Sequence, residues 1–503
     1  MNALSAIISV MTKDDKSAFI AHLAKKNKRK DVSNIDLFRL LETDDINNKN
    51  KLRDKKSADA YHALSKRLYD SLVQFMANRS FAHDTSEEQE VLRLLVVSRV
   101  FLEHKLHKAA FKCLAKAEAK AIALEQFALL NEVYQTRIQF VHFDLATPLE
   151  PLLQKYEANR KKLEQEERLN LAYAILRREL AAIYHEGKVT DFTAFIQDTI
   201  KSYGISLRHA LTYRSLYQIL FIANEYASIN SDYSLISPFV LRAYRFIAAR
   251  ENLAERHLYY HIYILYFIAN IHFRNRRYAE SESYLDKMQN EMEKQGGKFY
   301  QRFCLRYFLL RALNANYSGN PGNAIHIAEK ALLQHRKADP ADVNDLRLCA
   351  TVLCLQHDDG KQAIRHFKEL DHSDGWYEKK MGMDWTIRKS LVEIILHAQL
   401  ENTEMALSRL KSFRRRYRKY LESVNEQRVL VYASLLEKYI TRPEIIKTHS
   451  FSEAINGLAG PSGENADIFV VSFAGWLLAK TERKPVYETT LQLLDHLSPF
   501  HSA

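Results

Sequence analysis

Apolar side chains recur every three or four positions along most of the chain, with charged residues between them. Tyr61, Leu64, Leu68, Leu72 and Phe75 form one such series, and Leu407, Leu410, Phe413, Tyr417 and Leu421 another. A helix completes a turn in about 3.6 residues, so this spacing sets the apolar groups on one stripe. Runs of β-branched residues are few, and the segments are rich in Leu, Ala, Glu, Lys and Arg, which predicts an all-α chain.

The same stripes are interrupted by turn signals. Around Ser318-Gly319-Asn320-Pro321-Gly322, the glycines accept positive φ and Pro321 fixes φ and lacks an N–H, so one helix ends and another begins. Ala324, Ile327, Ala328 and Ala331 then follow at helical spacing, with small residues where a neighbouring helix comes close. Comparable anchors stand at Ala110, Ser281, Ala363 and Ala406; from Ser281 onward the spacings are 43, 39 and 43 residues. The 171 residues between Ala110 and Ser281 are close to four such periods, which places further anchors near positions 153, 196 and 238. Pro151 and Pro238 fit the first turns of the helices concerned.

Gly319 lies five residues before Ala324, and Ala328 and Ala331 lie four and seven after it, an arrangement that resembles the second half of the tetratricopeptide repeat. Ala363 with Phe367, and Ala406 with Leu410 and Phe413, are similar. No unit carries the Trp-x-x-Leu-Gly-x-x-Tyr opening, and the period is near 43 rather than about 34. Helices longer by about one turn each would supply the difference. The resemblance implies a right-handed α-solenoid of helical hairpins over residues 87–440. A helical N-terminal cap (1–86) and a loop with a C-terminal helical cap (441–503) would flank it, the last helices closing the open end of the array.

Composition agrees with an array. A chain of 503 residues is too long for one compact core, and only 13 Gly and 9 Pro punctuate it. A hydrophobic share of 47% is that of a folded protein. The formal charge of +12 comes from 73 basic and 61 acidic residues interspersed along the helices, so the surface is modestly basic. Cys113, Cys304, Cys349 and Cys354 form no Cys-x-x-Cys pair and sit in apolar patterns, as reduced thiols of a cytoplasmic protein would. The short apolar run from Met1 to Met11 lacks a positive flank and is not expected to be a signal peptide. No window approaches the ~18 apolar residues of a membrane span.

Candidate chemistry changes this picture little. Tyr213, Tyr217 and Phe221, and again Tyr259, Tyr263, Tyr266 and Phe267, make continuous aromatic faces, which either pack between repeats or line a groove that holds a peptide. His257 and His261 have the spacing of two zinc ligands, but Leu258 stands where a metalloprotease helix needs Glu. The glycines at 457–463 lack the order of a phosphate loop, and no nucleophile motif is present. No catalytic residue, metal or cofactor is therefore assigned, and no small-molecule substrate.

Two basic runs remain: Lys25, Lys26, Lys28, Arg29 and Lys30, and the helix from Arg409 to Lys419, with Lys411, Arg414, Arg415, Arg418 and Lys419. The expectation is a non-enzymatic interaction scaffold, engaging a protein or peptide through Tyr213, Tyr217, Tyr259 and Tyr263. The alternative is a protein that binds nucleic acid or an acidic partner through the two basic runs.

Overall fold

The computed structural model describes residues 4, 7–8, 11, 13–26, 33–42, 58–83, 87–144, 148–188, 190–205, 212–230, 233, 236–335, 338–424, 426–458 and 468–496. Among these the only regular elements are helices. They form two compact units, residues 1–157 and 158–503, and the division falls inside one long helix.

Unit 1 opens with α1 (Lys13–Lys26), α2 (Ser33–Glu42) and α3 (Ala58–His83). Phe19, Phe38, Leu68 and Leu72 are completely buried among them, with the ring of Phe19 5.1 Å from those of both Phe38 and Phe75. Then come α4 (Glu87–Glu103), α5 (His107–Ala123), α6 (Phe127–Gln139) and the start of α7 (Leu149–Ala181). Their core, around Val91, Leu114, Ala117 and Val133, holds one buried carboxylate, Glu118. That charge is tolerated because Arg137 and Lys155 (3.0 Å) both donate to it.

The part of α7 in unit 2 runs unbroken to Ala181 and passes into a π-turn, Ala182–Glu186. The repeat spacing predicts a turn within this stretch, but positions 152–186 contain neither Gly nor Pro, and nothing stops the helix. Beyond it lie α8 (Phe192–Ser202), α9 (Tyr213–Asn230) and α10 (Ser237–Ala248). The next elements are α11 (Leu258–Arg274), α12 (Tyr278–Gly297), α13 (Tyr300–Tyr317), α14 (Pro321–Gln334), α15 (Pro340–Gln356) and α16 (Gly360–Lys368). A short α17 (Asp374–Met381) precedes α18 (Met383–Gln399), α19 (Thr403–Ser423), α20 (Gln427–Thr441) and α21 (His449–Leu458). The sequence from Asn456 to Asn465 is dense in turn-forming residues and reads as a loop, but Asn456 and Gly457 still belong to α21. Positions 459–467 fall outside the described residues. The last two helices are α22 (Ile468–Glu482) and α23 (Val486–His496).

Helices adjacent in sequence pack as pairs: α4 with α5, α11 with α12, α13 with α14, α15 with α16, α18 with α19 and α22 with α23. One turn geometry joins all six. One or two residues past the helix the chain takes the left-handed conformation, and the next N–H reaches back to the carbonyl five residues earlier, as Leu106 to Phe101, Arg277 to His272, Asn320 to Ala315, Asp359 to Cys354, Asn402 to His397 and Lys484 to Ala479. The left-handed positions are Lys105, Arg276, Gly319, Asp358, Glu401 and Arg483. Five residues after the first five of them stand Ala110, Ser281, Ala324, Ala363 and Ala406, each wholly buried against its partner helix. Of the further anchors expected, the buried residue near 153 is Leu152, Ile196 is half-buried on α8, and the side chain at 238 lies outside the described residues.

Two long-range contacts shape unit 2. The π-turn meets α17 and α18: a side chain at Gly382 (φ +96°) would stand 3.4 Å from the Tyr184 carbonyl oxygen, and one at Gly187 would stand 3.2 Å from the Tyr420 ring. The α22–α23 pair lies against the ends of several earlier helices: Arg276 donates to the Leu494 carbonyl (3.0 Å), Tyr487 to that of Asn316 (2.6 Å), and Trp476 Nε1 to Gln399 Oε1 (2.8 Å). Lys480 pairs with Asp358 at 3.7 Å. Val471 and Leu494 complete the core of α9–α13, while Ala474, Trp476, Leu477 and Val486 complete that of α15–α21.

Candidate functional site

In unit 2 the first helices of four successive pairs, α11, α13, α15 and α18, surround an open cleft with a cavity of about 240 Å³. No residue of the second helices lines it. From α11 come Tyr266, Asn270, Phe273 and Arg274, one stripe at helical spacing; from α13 Leu309, Leu310, Leu313 and Tyr317. From α15 come Asp345, Leu348, Cys349, Val352 and Leu353, and from α18 Trp385, Arg388 and Val392; Phe473 of α22 supplies the remaining wall. The lining is mainly apolar with a few convergent polar groups, the usual make-up of a ligand site.

Among the described residues Asp345 is its one carboxylate. The Trp385 indole N–H donates to Oδ1 at 2.7 Å. Burial pushes this carboxyl up to about 6, with Asp342 adding to the effect and the Trp385 bond, Arg306 and Arg388 opposing it. Beside it Arg306 donates to Asp342 (2.9 Å) and to the Tyr263 hydroxyl (2.8 Å). Burial raises the Tyr266 phenol and the Cys349 thiol, each to about 12, so both stay neutral and protonated at ordinary pH. Asn270 is oriented by donating to Asn224 Oδ1 (2.9 Å), and the Arg274 guanidinium lies 5.0 Å from the Tyr233 ring centre.

The four tyrosines singled out in the sequence are brought together, though not in the cleft. Tyr213 is fully buried, donates to the Arg250 carbonyl (3.0 Å) and stacks on His257, so it presents no surface to a partner. Tyr263 is buried too; Tyr217 and Tyr259 are half-buried, their rings 5.0 and 5.4 Å from that of Tyr263. The face is a packing seam between α9, α11 and α13, and only Tyr266 carries it into the cleft. His257 belongs to that seam, where burial holds its imidazole down to about 4 and hence neutral; His261 faces Glu291 at 3.7 Å.

The basic runs divide. Lys25 is exposed near the end of α1 and Lys26 is its last residue, while Lys28, Arg29 and Lys30 lie outside the described residues. On α19, Arg414 pairs with Glu437 and Arg418 with Glu422 (2.8 Å), so two of the expected binding cations already have carboxylate partners. Arg409 pairs with Glu393 (3.0 Å), and Arg416 grips Glu378 through two bonds of 2.6 and 2.8 Å. Lys411, Arg415 and Lys419 are exposed on one face and have no ion-pair partner among the described residues. Sequence reasoning missed the cleft, because its walls come from five helices between positions 266 and 473; the Asp345, Trp385 and Arg388 trio carried no motif. No helix among the described residues is long and apolar enough to cross a membrane. No protein-family model matches the chain, and no curated protein is similar to it in sequence.

Proposed function

We propose that the chain is a right-handed α-solenoid of tetratricopeptide-like hairpins with helical caps, and that it acts as a non-enzymatic cytoplasmic scaffold holding a segment of a protein partner. The repetition of one left-handed turn, followed five residues later by a buried anchor, supports the repeat reading. The observation that carries the function is the cleft, whose walls are contributed by the first helix of each of four successive pairs. A partner segment laid there would bury apolar surface against rigid helices, with Asp345, Arg274 and Arg388 to orient it. The test is quantitative affinity capture from the native cell with the wild-type chain and with Val352→Trp, which fills the cleft from α15. Proteins retained by the first and reduced at least tenfold with the second support the reading. Equal recovery, with the variant shown folded by circular dichroism, removes the cleft as the binding site.

A second reading rests on α19. Lys411, Arg415 and Lys419 repeat at one helical turn on a solvent face, where a polyanion, nucleic acid or an acidic protein, would displace their counterions. Replacing all three by Ser leaves the buried stripe of Leu410, Phe413, Tyr417 and Leu421 untouched. If these side chains meet phosphates, the slope of log affinity against log salt falls by about 0.9 for each phosphate no longer neutralised. Binding to RNA and DNA that is absent at low salt, or unchanged in the variant, leaves nucleic acid without support.

A further inference from the structure

The cleft read above as the partner's site carries an unequal set of charges, the guanidiniums of Arg274 and Arg388 against the single carboxylate of Asp345. We propose that its occupant is an acidic–apolar segment of the partner, one bulky side chain with a carboxylate beside it, and that Asp345 takes up a proton as the segment enters. This rests on the cleft reading and adds to it the chemistry of the occupant.

Three observations converge. The cavity of about 240 Å³ has room for one large aromatic or branched side chain, and Tyr266, Trp385 and Phe473 offer it apolar walls. The charge excess of the lining is positive, so an anion next to that side chain is complementary. Arg274 also lies over Tyr233, and the charge of Arg388 also acts on Glu426; the attraction requires neither to leave these neighbours. Finally, Trp385 satisfies Oδ1 of Asp345.

An entering apolar group strips water from Asp345, and an entering carboxylate repels its charge; both favour the protonated form. The groups that face Asp345 do not reverse this. Asp342 shares its helix and is paired with Arg306 of α13, Tyr266 faces it from α11, where Arg274 lines the same cleft, Arg388 faces it from α18, and Cys349 stands one turn further along α15. The unoccupied carboxyl already titrates near pH 6. Loading above that pH must therefore draw a proton from solution, and no histidine among the described residues lines the cleft to confuse the profile.

Two dyes separate these features. 1-Anilinonaphthalene-8-sulfonate presents apolar rings with an anion, and N-phenyl-1-naphthylamine presents the same rings without it. Binding of each to the full-length chain is followed by fluorescence between pH 5.5 and 8, and the component that disappears in Val352→Trp is assigned to the cleft. In that component the sulfonate dye should bind at least tenfold tighter than its neutral counterpart, and Arg388→Gln should narrow the gap. Its affinity should fall about tenfold per pH unit between pH 7 and 8 and level off below pH 6. Asp345→Asn, which keeps the acceptor for Trp385, should bind it with no pH dependence and as tightly as the wild type does at low pH. Equal affinity for the two dyes overturns the acidic occupant, and a flat wild-type profile overturns the proton uptake; both leave the cleft as a binding site. If neither dye shows a component sensitive to Val352→Trp, the cleft admits no apolar group and the scaffold reading falls with the proposal.

Discussion

At the scale of single residues, the left-handed turn position repeats most faithfully and is the least visible in the sequence. Gly319 marks its turn because glycine takes positive φ without a Cβ clash, but the same position is Lys105, Arg276, Asp358, Glu401 and Arg483 in the other pairs. A non-glycine residue there costs about 1–2 kcal/mol, part of which a glycine would give back through its freer unfolded chain. Lys105 and Glu401 are exposed, so Lys105→Gly and Glu401→Gly should each raise stability by about 0.5–1 kcal/mol in urea denaturation. A loss of stability in both would show that the side chains, not the turn, set the balance. Asp345 gives a second residue-scale expectation. Its native carboxyl, lifted to about 6, holds a proton at pH values where the unfolded group, near about 4, has lost it. Between those values the native state binds more protons, so this group makes stability fall as pH rises through the window. Asp345→Asn should therefore be more stable than wild type at pH 7.5 and equal to it near pH 4, whereas a difference that grew on acidification would contradict the assigned burial.

At the scale of helices, periodicity was a good guide to where apolar stripes lie and a poor one to where helices end. The stripe of α19 is buried as its spacing requires, and the five anchors read from small residues are all buried. Helix lengths are uneven: α19 has 21 residues, α12 leaves helical geometry at Lys294–Gly296, α16 has only 9, and the 8-residue α17 follows it. The surplus of basic residues on α19 was legible, but its pairing was not. Glu378, Glu393 and Glu437, which bind Arg416, Arg409 and Arg414, lie 38, 16 and 23 positions away. The α22 helix was legible as an apolar segment, though nothing in its spacing says which surface it covers. Leu477, wholly buried at its centre, tests that placement: Leu477→Ala should cost about 2–5 kcal/mol. A cost near zero would mean that α22 does not pack against the core.

At the scale of the molecule, the all-helical class followed from composition and period, while the cleft had no local signature. Tyr266, Asp345, Trp385 and Phe473 are ordinary core-pattern residues until the helices bring them together. Arg276 and Leu494 stand 218 positions apart, yet one hydrogen bond joins them, and that distance matters in time as well as in space. On the ribosome α11 is made long before α22 and α23, and the apolar ends they cover must wait for them. Closing so long a loop is slow compared with pairing adjacent helices, so the paired helices should form early and the final docking late. A nascent chain that has reached only Leu458 would hold most of its helices with its core still open on one side. That is the moment at which a chaperone, or a second unfinished copy, has most to bind.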